Sequence, residues 1–158
     1  MSTVLGVPQF NTPIDDVEIQ TTIITAAQFK AFDTLTSDSI AVTPKPAANQ
    51  LIQVVSADVN MQFIAPAYAT GTGNFILGFD VAGTTSSTFA TSGQSGLPNA
   101  SIKLGSSVWC IFGAMQNFGN GSALAGKALL ANIDGGPNFT AGNSIFVVRV
   151  RYRIVTIA

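Results

Sequence analysis

The chain has 158 residues, which fits one domain and allows a substantial core without covalent staples. Charged residues make up 9%, against a usual ~25%, and seven Lys+Arg against eight Asp+Glu leave a net charge of −1. That balance argues against a protein that coats nucleic acid. The absence of histidine removes the commonest general base and metal ligand, and a single cysteine excludes an internal disulfide or a cysteine-rich zinc site.

Residues 1–22 read as an extended N-terminal arm, followed by one β domain over 23–158. Pro8 and Pro13 interrupt regular pairing, because proline fixes φ and lacks the N–H a ladder needs. Val4, Leu5, Val7, Phe10, Ile14 and Val17 are apolar anchors without a clean period. They are expected to dock on a neighbouring subunit, with a frayed terminus as the plain alternative. No basic leader with an apolar stretch opens the chain and no run of about 18 apolar residues occurs, so neither a secretory signal nor a membrane-spanning helix is expected.

Residues 25–35 are expected to form one short helix. Thr25 and Gln28 have capping-box spacing, and Phe29 and Phe32 share a face three residues apart. The rest reads as strands. Ile40–Thr43 is short and stops before Pro44. Over 55–63 the residues Val55, Ala57, Val59, Met61 and Phe63 alternate with Ser56, Asp58, Asn60 and Gln62, the period of a half-buried strand. Residues 73–81 repeat the pattern with Phe75, Leu77, Phe79 and Val81 inward. Residues 108–115 are apolar throughout, which predicts a strand covered on both faces. Residues 127–133 form a weaker strand, with a helix from Ser122 as the alternative, and Asp134-Gly-Gly-Pro137 marks a turn. Residues 146–157 are the clearest strand. The long Gly/Ser/Thr-rich stretch 83–107 is expected to hold an extra strand near 87–91 and an exposed tip around 93–99. No internal repeat is evident. About seven strands without alternating helices predict an all-β sandwich or jelly-roll-like domain.

Candidate functional groups are few. Arg149, Arg151 and Arg153 alternate with apolar residues, so all three guanidiniums share one strand face. They form a basic stripe suited to phosphate or to an acidic patch on a partner subunit, or pair across strands with carboxylates such as Asp58 or Asp80. No aromatic residue interleaves on that face to stack bases, so no nucleic acid is expected. Asp15, Asp16 and Glu18 form an acidic cluster whose spacing matches no calcium loop. Asp58 and Asp80 read as surface or ion-paired groups rather than a catalytic pair, and Cys110 as a buried structural thiol. Phe89, Phe118 and Phe139 are loop aromatics, either exposed anchors or tucked into the core. No catalytic, cofactor or metal site is expected, and no enzyme activity.

Several segments together resemble virion structural proteins of tailed bacteriophages. They are Ile24-Thr-Ala-Ala-Gln-Phe-Lys-Ala-Phe32, Ile40-Ala-Val-Thr-Pro-Lys-Pro-Ala-Ala-Asn-Gln-Leu-Ile52, Val54-Val-Ser-Ala-Asp-Val59, Ala67-Tyr-Ala-Thr70, Asn74-Phe-Ile-Leu-Gly-Phe79 and the closing 145–155. They cover under half the chain and carry no catalytic residue. The resemblance implies a small β-rich capsid cement or decoration protein. Such a protein would contact the major capsid protein and copies of itself as a homo-oligomer, within a virion assembled from host-cytoplasmic synthesis. The alternatives are a tail, baseplate or fibre-associated subunit, or a carbohydrate-binding β-sandwich using the loop phenylalanines.

Overall fold

The computed structural model describes residues 16–32, 38–81, 84–85, 97–112, 124–134 and 137–156. Its first sheet consists of β1 (Glu18–Ile24), β10 (Ile145–Thr156), β3 (Gln50–Gln62) and β7 (Val108–Phe112), hydrogen-bonded in the order β1-β10-β3-β7. The second consists of β2 (Ile40–Ala41), β8 (Leu129–Ile133), β5 (Phe75–Val81) and β6 (Thr84–Thr85), in the order β2-β8-β5-β6. All neighbours are antiparallel. The chain crosses repeatedly from one sheet to the other, and this strand order is a jelly roll, the fold class expected from sequence. The sheets face each other over one apolar core, with residues from both sheets and from α1 (Ala26–Lys30).

The sheet takes in the end of the stretch read as an arm. Residues 18–22 pair with β10 of the same chain, with Glu18 opposite Tyr152 and Thr22 opposite Val148. Thr21, Thr22, Ile23 and Ile24 are β-branched and suit a pleated surface, although their polarity gives no period. The capping box at Thr25 is formed: Gln28 N donates to Thr25 Oγ1 at 3.3 Å and Thr25 N donates to Gln28 Oε1 at 2.9 Å. The helix is shorter than expected, because the chain leaves it at Ala31 and Phe32 turns into the core. Residues 33–35 of the expected helix lie outside the described residues.

The alternation over 55–63 breaks at one end. Arg151 pairs with Ser56, but Tyr152 pairs with Val54, so Val55 is an extra residue in β3. This bulge moves the buried set from Ala57, Val59 and Met61 to Val54 and Ile52, and leaves Val55 exposed. Of the exposed tip expected around 93–99, residues 93–96 lie outside the described residues; Leu97 instead bridges to Phe75, exposed Pro98 follows it, and a second helix, α2 (Asn99–Ile102), begins at Asn99. Leu97 and Ile102 are both buried. The extra strand expected at 87–91 and the alternative helix start at Ser122 lie outside the described residues.

A short third sheet pairs β4 (Tyr68–Thr70) with β9 (Phe139–Ala141). It reveals a repeat that sequence inspection overlooked. Pro66-x-Tyr68-x-x-Gly71-x-x-x-Phe75 recurs as Pro137-x-Phe139-x-x-Gly142-x-x-x-Phe146, each position shifted by the same interval, from 66 to 137 and from 75 to 146. The strand before the first copy, β3, pairs with the strand after the second, β10, and β8 likewise pairs with β5. The two halves therefore interlock about an approximate two-fold axis. Near it the Phe75 and Phe146 rings stack, with centroids 5.2 Å apart and planes 9° from parallel.

The two tyrosines give the fold an alkaline limit. Burial raises the Tyr68 hydroxyl well above the usual range. Burial, followed by the hydrogen bond and charge of Glu18, pushes Tyr152 up to about 12. In the unfolded chain both would ionise near 10. The folded state therefore holds protons that the unfolded state releases, and stability is full below pH 10 and falls as pH rises from there towards 12. Denaturant midpoints measured from pH 8 to 12 should be flat at first and then drop, with tyrosinate absorbance rising together with unfolding.

Candidate interaction surface

β10 occupies an interior position of the first sheet, and its alternation is strict where the sequence predicts it. Val148, Val150 and Tyr152 are buried, whereas Arg149 and Arg151 are exposed and Arg153 is half-buried on the opposite, outer face. The register sets their neighbours. Arg149 lies between Asp58 of β3 and Thr21 of β1, and Arg151 lies between Ser56 and Ile19. Asp58 is thus the carboxylate beside the basic stripe, as one of the two sequence alternatives has it. Asp80 belongs to β5 in the other sheet, so the two aspartates do not share a site. Nε of Arg153 is buried without a hydrogen-bond partner among the described residues.

The strand expected to be covered on both faces is covered on one. Phe112 is buried and Val108 and Cys110 pack against the core, but Trp109 is 65% and Ile111 69% exposed. β7 ends the sheet's strand order, and among the described residues no layer lies over the outer face. An all-apolar strand hides which alternate set faces out, so neither residue stood out in the sequence. Across the sheet Trp109 is in line with Asn60, Val147 and Ile23, and Ile111 with Asp58, Arg149 and Thr21. Ile19 and Ile23, on the opposite edge strand, are also exposed. Between β7 and β10 lies a shallow depression of about 240 Å³ lined by Asp58, Asn60, Gln62, Trp109, Val147 and Arg149. The second sheet is different: Ile76 and Asn132, opposite each other on its outward side, are buried.

The other sequence candidates separate. Val17 is half-buried just before β1, and Asp16 is exposed beside it. Val4, Leu5, Val7, Phe10, Ile14 and Asp15 lie outside the described residues. Glu18 accepts a hydrogen bond from the Tyr152 hydroxyl at 2.7 Å, so it serves the fold rather than an acidic cluster. Cys110 is half-buried and burial raises its thiol, which makes it a poor nucleophile. Phe139 is fully buried in the aromatic cluster, which removes it as an exposed anchor. Phe89 and Phe118 lie outside the described residues. Among the described residues no three His, Cys, Asp or Glu side chains gather to hold a metal, and no helix is long and apolar enough to cross a membrane. No protein-family model matches the chain, and no curated protein matches it.

Proposed function

We propose that this chain is a structural virion subunit of a tailed bacteriophage, of the capsid cement or decoration type, with no enzymatic role. It would bridge major capsid proteins and copies of itself. The residues before β1, with anchors Val4, Leu5, Val7, Phe10 and Ile14, would form the docking arm, and the Arg149, Arg151 and Arg153 face would be a second contact. The observation that carries this reading is the outer face of the first sheet. Large apolar side chains, Arg149 and Arg151 are left exposed there, whereas Ile76 and Asn132 on the outward side of the other sheet are buried, in a chain with few charges. The jelly-roll strand order agrees with it, as that architecture recurs in viral shells and also in lectins. Repetition of modest contacts over a lattice would give the avidity that cementing requires.

The test is the copy number per major capsid protein in gradient-purified particles, by quantitative mass spectrometry. A ratio near one, or a simple lattice fraction, is expected. A few copies per particle would indicate a tail, baseplate or fibre position, and complete absence would overturn the virion reading. Deleting residues 1–15, a cut that spares β1, should abolish binding to emptied shells while the β-sheet circular dichroism spectrum is kept. Retained binding would remove the arm from the proposal.

One observation favours a second reading, a carbohydrate-binding module. Trp109 stands exposed beside Asp58, Asn60, Gln62 and Arg149, an aromatic platform ringed by groups that could bond sugar hydroxyls. Quenching or shifting of its fluorescence by a glycan panel would support that module.

A further inference from the structure

The outer face of the first sheet is self-complementary across its strands. Across β1, β10, β3 and β7 one row reads Thr21, cationic Arg149, anionic Asp58 and Ile111, the next on the same face reads Ile23, Val147, Asn60 and Trp109, and Arg151 stands beside Ser56 in a third. Reversed, the central pair of the first row reads anionic, cationic, and the second row is apolar at both ends. We propose that two copies of this chain pack face to face through this surface, about a two-fold axis that runs along the strands between β10 and β3.

That rotation lays Asp58 of each copy over the partner's Arg149, twice by symmetry. It also lays Trp109 over the partner's Ile23, and Ile111 over the partner's Thr21. An isologous contact of this kind requires each patch to meet its own complement, and the Arg149–Asp58 pair and the Trp109–Ile23 pair meet that requirement. Strands of the two sheets stay aligned, the usual arrangement of packed sheets. Strands of 7, 12, 13 and 5 residues, at ~3.3 Å per residue and ~4.8 Å spacing, make a face of roughly 600 Å². Two such faces bury about 1,200 Å², the lower bound of a standard stable interface. The proposal deepens the contact with copies of itself in the shell reading, and because its test uses the purified chain alone, its failure is distinguishable from absence of the chain from particles.

The experiment uses the full chain in sedimentation velocity over a concentration series. Trp109, the single tryptophan, reports burial through its emission. Wild type should dimerise with a blue shift. Asp58→Arg sets two arginines over each other at both contacts, and Arg149→Asp sets two aspartates there, so each should weaken the dimer by about 100-fold or more. Mixing the two variants restores opposite charges at both contacts, so an equimolar mixture should form heterodimers. A charge pair confined to one chain would not be rescued by mixing. Trp109→Lys, at a largely exposed position, should also give monomers and guards against a variant that fails to fold. A monomeric wild type at every concentration would overturn the proposal, including one whose emission shifts only on adding a saccharide. So would dimers that survive both charge reversals, a trimer, or a mixture that stays monomeric.

Discussion

Truncation of Phe29 to alanine should be among the most damaging single changes in the protein, lowering stability by about 3–5 kcal/mol. Phe29 is fully buried, and its ring meets five others: Phe32 at 5.7 Å between centroids, Tyr68 at 4.9 Å, Phe75 at 6.3 Å, Phe139 at 5.0 Å and Phe146 at 4.3 Å. These partners come from both main sheets and from the β4–β9 pair. Removing the ring leaves a cavity whose walls belong to separate strands, and such walls collapse poorly. With a urea slope of about 1–3 kcal/mol/M, the denaturation midpoint should fall by more than about 1 M. Phe29→Leu keeps most of the volume and should lose less than half as much. A midpoint shift of a few tenths molar for the alanine variant would show that the cluster contributes little.

The second large effect belongs to the glycines of the repeated motif. Gly71 and Gly142 have φ of +57° and +68°, where a side chain is strained. Space is lacking as well: a methyl group at Gly71 would stand 2.5 Å from the Phe139 ring, and one at Gly142 would intrude into the Tyr68 ring. Each glycine lets the aromatic residue of the other copy lie on bare backbone. Gly71→Ala and Gly142→Ala should therefore each cost about 2–5 kcal/mol, combining φ strain with overpacking. The pseudo-symmetry adds that the two should be similar. Gly126 is the control, with φ +69° but no contact nearer than 3.4 Å, so Gly126→Ala should lose only the conformational part. Thermal or urea unfolding of the three variants checks the ranking. Near-equal losses at Gly71 and Gly126 would mean that ring packing contributes nothing beyond backbone strain.

The sequence reveals the strands wherever polarity alternates. β5 and β10 were visible because Phe75, Leu77 and Phe79, and Val148, Val150 and Tyr152, face a core on one side only. The helix start was visible because Thr25 and Gln28 carry a local hydrogen-bond logic that needs no tertiary contact. What depends on distant partners was not visible. The bulge at Val55 exists only against β10, and β1 owes its pairing to a strand at the far end of the chain. At the candidate surface, period two placed the arginines on one face. The exposure of Trp109 and Ile111 was hidden, since an apolar strand at an edge and one in the middle of a sandwich have the same composition. The repeated Pro-aromatic-Gly-Phe frame was legible in principle. The residues between its fixed positions differ enough that it emerges only when the two rings are seen stacked.

The interlocked halves impose an order in time. β10 lies between β1 and β3, yet of the strands described it is the last to be synthesised. β3 ends at Gln62 and β10 at Thr156, so 94 residues (156 − 62) separate the moment β3 leaves the ribosome from the moment its partner is complete. At roughly 5–20 residues per second, that interval is about 5–20 s. Throughout it, the nascent chain carries β1 and β3 with their shared partner missing and their apolar faces unburied. A growing polypeptide in that state is a natural client for ribosome-associated chaperones. Premature release or a stop codon before β10 would yield an aggregating fragment rather than a smaller folded domain.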